Sequence, residues 1–374
     1  MQLSRLSQLI LPLLVCLQAT ISTGIFYIYH LQLTSQATLP SALYIKHLLS
    51  ILIGCALGII VYKTYSKSWI SQNNKSLIII ALILASLPLI PHIGLKQNGA
   101  SQWVQFFYLT FKPFPFALLL MILAISYQIS PKINANRFFK RRDYSIATPF
   151  LCLMFITSLY PSINTVIFCL CFLLFTLVLA YQYTLFLGSS VLIVAGCTIL
   201  AFASPYRVAR LLKFTDIDNS TYEQNYHLYL SLQTLKTAGM TGKKSVDASF
   251  SHNNSLFYDG YYLAYQIEQL GYLGGGVVIS ISGLILLCLL LMYRNALFNK
   301  PHAERIIIGL LGFWILSFSI GHIAVILGLF PTVTIPYPFL SYNPSYQLVF
   351  IIAIAIILKI QHQQKEITSA HNQS

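Results

Sequence analysis

Carboxylates are scarce in this 374-residue chain, and they are unevenly placed. There are nine: Asp143, Asp216, Asp218, Glu223, Asp247, Asp259, Glu268, Glu304 and Glu366. The first 142 residues hold none, whereas five lie between 205 and 262 and Glu268 follows shortly after. A carboxylate can take a proton from a hydroxyl nucleophile, so general-base chemistry is expected in this stretch. The same stretch carries six basic residues (Arg207, Arg210, Lys213, Lys236, Lys243 and Lys244) and interleaves them with Tyr222, Tyr226, Tyr229, Phe257, Tyr258, Tyr261 and Tyr262. Long segments without a strong secondary pattern are functional or disordered. The aromatic and cationic content favours a binding surface for an anionic, membrane-tethered substrate, set against the plainer reading of a solvated loop lying on the bilayer.

The elements that must position this segment are membrane helices. Hydrophobic residues make up 56% of the chain and charged residues 9%, against about 25% charged in a soluble domain. The apolar residues come in runs near the length that a hydrocarbon core about 30 Å thick requires. Spans are expected at 8–29, 43–63, 76–95, 114–130, 145–159, 162–182, 186–204, 264–292, 306–328 and 345–361, the fifth being short. The first run is followed by no small-residue cleavage site and reads as a retained helix. The fold class is therefore all-α: a polytopic membrane protein of about ten helices, a single membrane domain over 1–374 with one large outer loop at 205–262, between spans seven and eight.

Orientation follows from basic residues in short loops. With the N-terminus inside, fourteen fall on the inner side: Arg5, Lys63, Lys67, Lys75, Lys132, Arg137, Lys140, Arg141, Arg142, Arg294, Lys300, Arg305, Lys359 and Lys365. The outer short loops hold only Lys46, Lys96 and Lys112. Both ends are thus expected in the cytoplasm, and the net charge of +14 is mostly a topology signal. A nucleic-acid surface would gather its cations on one face, and these are scattered among loops. Ion-driven transport usually needs a carboxylate at membrane depth; only Glu268 comes near, at the outer end of its span. The seven cysteines (16, 55, 152, 169, 171, 197 and 288) fall inside spans, without metal-type spacing, and read as small packing residues.

Six segments, in order, resemble the SEDS family (RodA, FtsW and SpoVE), the shape, elongation, division and sporulation group of bacterial peptidoglycan polymerases. "NGASQW" (Asn98 to Trp103) resembles the family's NGARRW, and "YPSINT" (Tyr160 to Thr165) its QPDLGT. "YRVARLLKFTD" (Tyr206 to Asp216) is similar to YRRxRLxxFLD, and "NYHLYLSL…AGMTGKK" (Asn225 to Lys244) to GYQxxQSL…GGLxGKG. "EQLGYLG" (Glu268 to Gly274) is similar to EELGFIG, and "GLFPTVTIPYPFLSYNPS" (Gly328 to Ser345) to GLLPxTGIPLPFxSYGGS. The departures are specific. Pro115 and Leu118 stand where the family's fourth span carries a Glu and a Lys, Ser162 replaces the acid of QPD, and Asn343 and Pro344 replace the glycines of SYGGS. The family's catalytic Asp lies eight residues before EELG; here that position is Gly260, and Asp259 is its neighbour.

The resemblance implies joining of lipid II disaccharides with loss of undecaprenyl pyrophosphate, in the bacterial inner membrane. It implies Asp259 as base, Arg207, Arg210 and Lys243 as pyrophosphate contacts, and Trp103, Tyr226, Ser341 and Tyr342 as cavity lining. For those last four, packing at a loop–membrane boundary is an equal reading, because aromatic belts are ordinary there. The cation role falls to Lys, Arg or a divalent metal ion, whose ligands the sequence does not identify; no other cofactor is implied. The implied partner is a class B penicillin-binding transpeptidase. Two alternatives stay open: a non-catalytic scaffold for that transpeptidase, and a lipid II flippase using the same groove without chemistry. Short tails and compact length point to the RodA-like elongation role.

Overall fold

The computed structural model describes residues 2–34, 43–97, 100–106, 109–134, 145–159, 163–191, 223–242, 259–330 and 333–371. Helices dominate. They are α1 (Gln2–Thr34), α2 (Leu43–Thr64), α3 (Lys67–Gln72), α4 (Asn74–Ser86), α5 (Phe114–Asn134), α6 (Ala147–Leu159) and α7 (Ile163–Leu179), then α8 (Glu223–Thr237), α9 (Tyr262–Asn299), α10 (His302–Ile326) and α11 (Pro344–His371). Six are long and apolar enough to cross a membrane: Leu6–Ile28, Tyr44–Thr64, Phe114–Pro131, Tyr262–Asn299, His302–Ile326 and Pro344–Gln363. Shorter apolar helices stand at Asn74–Leu89, Ala147–Leu159 and Thr165–Leu179. This is a multi-pass membrane protein; the expected span at 186–204 lies mostly outside the described residues. Among these helices α2 packs on α11, α4 on α5, α1 on α9 and α10 on both α9 and α5.

Two expectations are corrected. The third span stops early: α4 ends at Ser86, a 3-10 turn runs Leu87–Leu89, and residues up to 95 do not continue it. Pro88 has no N–H to extend the ladder. The chain then folds back so tightly that a Cβ on Gly94 would stand 2.1 Å from the Pro88 carbonyl oxygen. The fold is also not wholly helical. Strands β1 (Gly94–Gln97), β2 (Ala100–Phe106) and β3 (Leu109–Phe111) form an antiparallel sheet in the order β1-β2-β3. In β2 Val104 is buried while Gln105 and Phe106 are exposed.

The expected outer segment contains α8, a helix of 15 residues, which docks into a break in α9. Gly271 sits inside α9 at φ 70°. The α9 donors near this break are answered from the turn after α8: Tyr272 N–H donates to Gly239 O at 3.0 Å and Leu273 N–H to Met240 O at 3.2 Å. At membrane depth such a break persists only when the released backbone groups find partners. A Cβ on Gly271 would lie 2.3 Å from Met240 O, and one on Gly242 2.3 Å from Gln269 O. Two of the six resembling segments therefore pack directly on each other.

Candidate active site

The site forms where three chain junctions meet, and each is dictated locally. The first is the passage from β3 to α5. Pro113 and Pro115 bracket the helix start, where a missing N–H costs nothing. Lys112, just before Pro113, is steered away from helical backbone by the pre-proline restriction. Its N–H donates to Ser345 Oγ at 2.8 Å, tying this junction to the first turn of α11.

The second junction is the start of α11. Asn343 precedes Pro344, the arrangement expected of an N-cap followed by proline at the first helical position. Asn343 Oδ1 accepts from Tyr346 N–H at 3.4 Å. That capping bond orients the amide, so its nitrogen points away from the helix. Asn343 Nδ2 donates to both oxygens of Asp259, at 3.0 Å each.

The third junction is Asp259–Gly260, just ahead of α9. The approach here is close: a Cβ on Gly260 would stand 3.1 Å from Thr334 Cα, so that Thr334 would have to give by a few tenths of an ångström. Bare backbone lets the 333–343 segment lie against the start of α9, and so brings Asn343 to Asp259. Lys112 Nζ completes the cluster 3.2 Å from Asp259 Oδ2. Asp259, Lys112 and Asn343 are all buried, at 7%, 8% and 1% exposure. The Lys112 ammonium also lies 4.6 Å from the centre of the Trp103 ring and 5.9 Å from that of Tyr346.

The residues expected at the site divide into three groups. Asp259 and Trp103 meet through Lys112. Ser341 and Tyr342 lie on the segment that delivers Asn343; Ser341 is buried and its Oγ accepts from Tyr337 N–H at 2.8 Å, closing the turn. Tyr342 is partly exposed, its ring 6.1 Å from that of Phe26. Arg207, Arg210 and Lys243 lie outside the described residues, as does the side chain of Tyr226, whose backbone belongs to α8. Burial raises the hydroxyl pKa of both Tyr337 and Tyr342, leaving them neutral phenols.

Sequence reasoning missed two site residues. Lys112 had been weighed only as a loop charge, and Asn343 only as a loss from a glycine pair. The Asn-Pro step before an apolar run is a readable helix-start signal; nothing local announced Lys112. Pro115 and Leu118 are buried in the first turns of α5. Among the described residues no group of three His, Cys, Asp or Glu side chains could hold a metal. The cation against Asp259 is a lysine, and this donor set does not fit a divalent ion. Chemically, the arrangement offers a carboxylate to receive a proton and an ammonium beside it to steady negative charge.

Comparison with known proteins bears on the whole chain. A family model described as "Cell cycle protein", covering FtsW, RodA and SpoVE, matches residues 10–366. A probable peptidoglycan glycosyltransferase FtsW of Trichlorobacter lovleyi is 25% identical, covering 95% of this chain and 94% of its own. The protein of the same name from Thiomicrospira cyclica is 23% identical, over 84% and 80%. Among solved structures, a chain from a study of polymerization and crosslinking by a peptidoglycan synthase complex superposes with a TM-score of 0.70 at 17% identity, covering 95% of this chain and 97% of that one. The rod-shape-determining protein RodA of Thermus thermophilus gives a TM-score of 0.56 at 17% identity, over 95% and 96%.

Proposed function

The chain belongs to the FtsW, RodA and SpoVE family, and from that premise we propose that it is a peptidoglycan glycosyltransferase that polymerises lipid II. The observation that carries this reading is the Asp259 carboxylate held between Lys112 and Asn343. Asp259 takes the proton of the attacking sugar hydroxyl. The new glycosidic C–O bond forms as the bond from the donor sugar to pyrophosphate breaks, and undecaprenyl pyrophosphate leaves with the electron pair. Lys112 supplies positive charge at the reacting centre, where buried electrostatics act most strongly. Arg207, Arg210 and Lys243 extend that charge along the pyrophosphate, and Trp103, Tyr226 and Tyr342 line the approach.

The proposal places the protein in the bacterial inner membrane with the Asp259 end facing outward and both termini in the cytoplasm. Its support is the fourteen-to-three distribution of short-loop cations. The proposed partner is a class B penicillin-binding transpeptidase, in keeping with the synthase complex named for the similar structure.

Glycan polymerisation by the purified protein from lipid II, with and without its transpeptidase, tests the reading. Glycan strands longer than the input disaccharide are expected. Absence of product in both arms would leave the scaffold reading; lipid II transfer between leaflets without polymer would establish the flippase.

A further inference from the structure

His322 lies on α10 and is fully buried, at 0% exposure. Its Nδ1 stands 2.6 Å from the Ile335 carbonyl oxygen, and its Nε2 stands 3.4 Å from Leu263 N. A backbone N–H can only donate, so Nε2 presents its lone pair to Leu263. A carbonyl can only accept, so Nδ1 carries the proton toward Ile335. The partners thus assign a neutral ring in one tautomer, with both nitrogens engaged.

These two partners belong to the two halves of the site. Leu263 is four residues beyond Asp259, in the first turn of α9. Ile335 is eight residues ahead of Asn343, on the segment that lies against Gly260. That segment holds unfavourable backbone: Phe339, a buried non-glycine residue, stands at φ 62°. Such a conformation persists only where its surroundings over-determine it. A second brace comes from α1, where Ser22 Oγ donates to Leu340 O at 2.6 Å and Tyr262 O–H donates to Ser22 O at 3.1 Å.

We propose that His322 is a positioning residue: its imidazole staples the first turn of α9 to the 335–343 segment and so sets Asp259 in register with Asn343 and Lys112. It touches none of the reacting atoms. Lys112 reports this register because its own backbone is tied to Ser345, next to the cap of α11. The Ser22 brace remains when His322 is changed, so the fold persists while the register loosens.

The test compares His322→Phe, which fills similar space with no donor or acceptor, and His322→Gln, which keeps one of each. Full-length protein is treated with a carbodiimide, and the isopeptide bond between Lys112 Nζ and the Asp259 carboxyl carbon is measured by mass spectrometry. The reagent removes one carboxylate oxygen as a urea, so the bond forms only where amine and carboxyl already touch. The wild type should cross-link readily, His322→Phe about ten-fold less, and His322→Gln close to wild type, as expected for losing and then restoring hydrogen bonds. In the polymerisation assay, which rests on the proposed activity, His322→Phe should lower kcat by about 10²-fold, the size of effect expected from an ångström-scale misplacement. KM should change little, because no substrate contact is removed. Equal cross-linking in His322→Phe and wild type would overturn the proposal, and so would a His322→Gln protein as impaired as His322→Phe. A wild type that makes no glycan would count against the polymerase reading alone, since the cross-link is read without turnover.

Discussion

Two buried carboxylates, separated by the length of α9, are paired with lysine in quite different ways. Asp259 precedes α9, and Glu304 lies in the first turn of α10, beyond the far end of α9. Glu304 is contacted by Lys67 from α3 and by Lys300 at 3.7 Å. Lys300 also donates to the Ile360 carbonyl of α11, and Arg305 Nε donates to the Lys300 carbonyl. The contacts of Lys67, Lys300 and Arg305 around Glu304 join helix ends to one another, and the Lys300–Ile360 bond ties them to the body of α11. At Asp259, among the described residues, a lysine comes from a strand–helix junction, an oriented amide also donates, and the lysine rests on a half-buried indole. The Glu304 cluster clamps helices, whereas the Asp259 cluster leaves a partly exposed indole beside a charged pair. A buried carboxylate–lysine pair alone therefore does not mark a reactive site; the approach surface beside it does.

The largest expected effect breaks the comparison at its catalytic end. Asp259→Asn keeps the shape and removes the base, so turnover in the polymerisation assay should fall by about 10²–10⁴-fold. It also strands the buried Lys112 ammonium beside a neutral amide, so unfolding free energy should fall as well, by about 3 kcal/mol, and turnover is read per folded molecule. Equal turnover would move the base elsewhere. Glu304→Gln should lower stability without the loss of turnover, because it strands Lys300 in a buried place away from Asp259. A loss of about 3 kcal/mol in unfolding free energy is expected, as for other broken buried pairs, with little change in turnover per folded molecule. Wild-type stability in that variant would show that the clamp holds nothing.

Gly260→Ala sharpens the comparison by moving the Asp259 cluster without touching its charges. The added Cβ meets Thr334, so the 333–343 segment must shift or strain, costing about 1–3 kcal/mol. Turnover should fall by about ten-fold or more as Asn343 is displaced, and wild-type kinetics would mean the register is not critical. The smallest effect is expected for Trp103→Leu, which removes the aromatic face under Lys112. A cation–π contact at a half-exposed site is worth about 0.5–1 kcal/mol, so a two- to five-fold loss of kcat/KM should follow, far below the effect of Asp259→Asn. A loss as large as that of Asp259→Asn would make the indole a direct substrate contact.

The sequence by itself determined the multi-pass helical character, because long apolar runs have no other solution in a bilayer. It also singled out Asp259, since carboxylates are so few that one lying next to an expected catalytic position stands out. The glycines of the two segments that pack together at Gly242 and Gly271 were visible as residues, but their contact was not. Only the tertiary structure decided that residues 94–97, 100–106 and 109–111 form a small sheet and that α4 stops before Leu95. It alone brought Lys112, 147 residues away from Asp259 in sequence, against that carboxylate together with Asn343. The physical reason is the same in each case. Hydrophobic period and helix caps act within a few residues and are written locally, whereas an ion pair depends on where separate junctions come together in space.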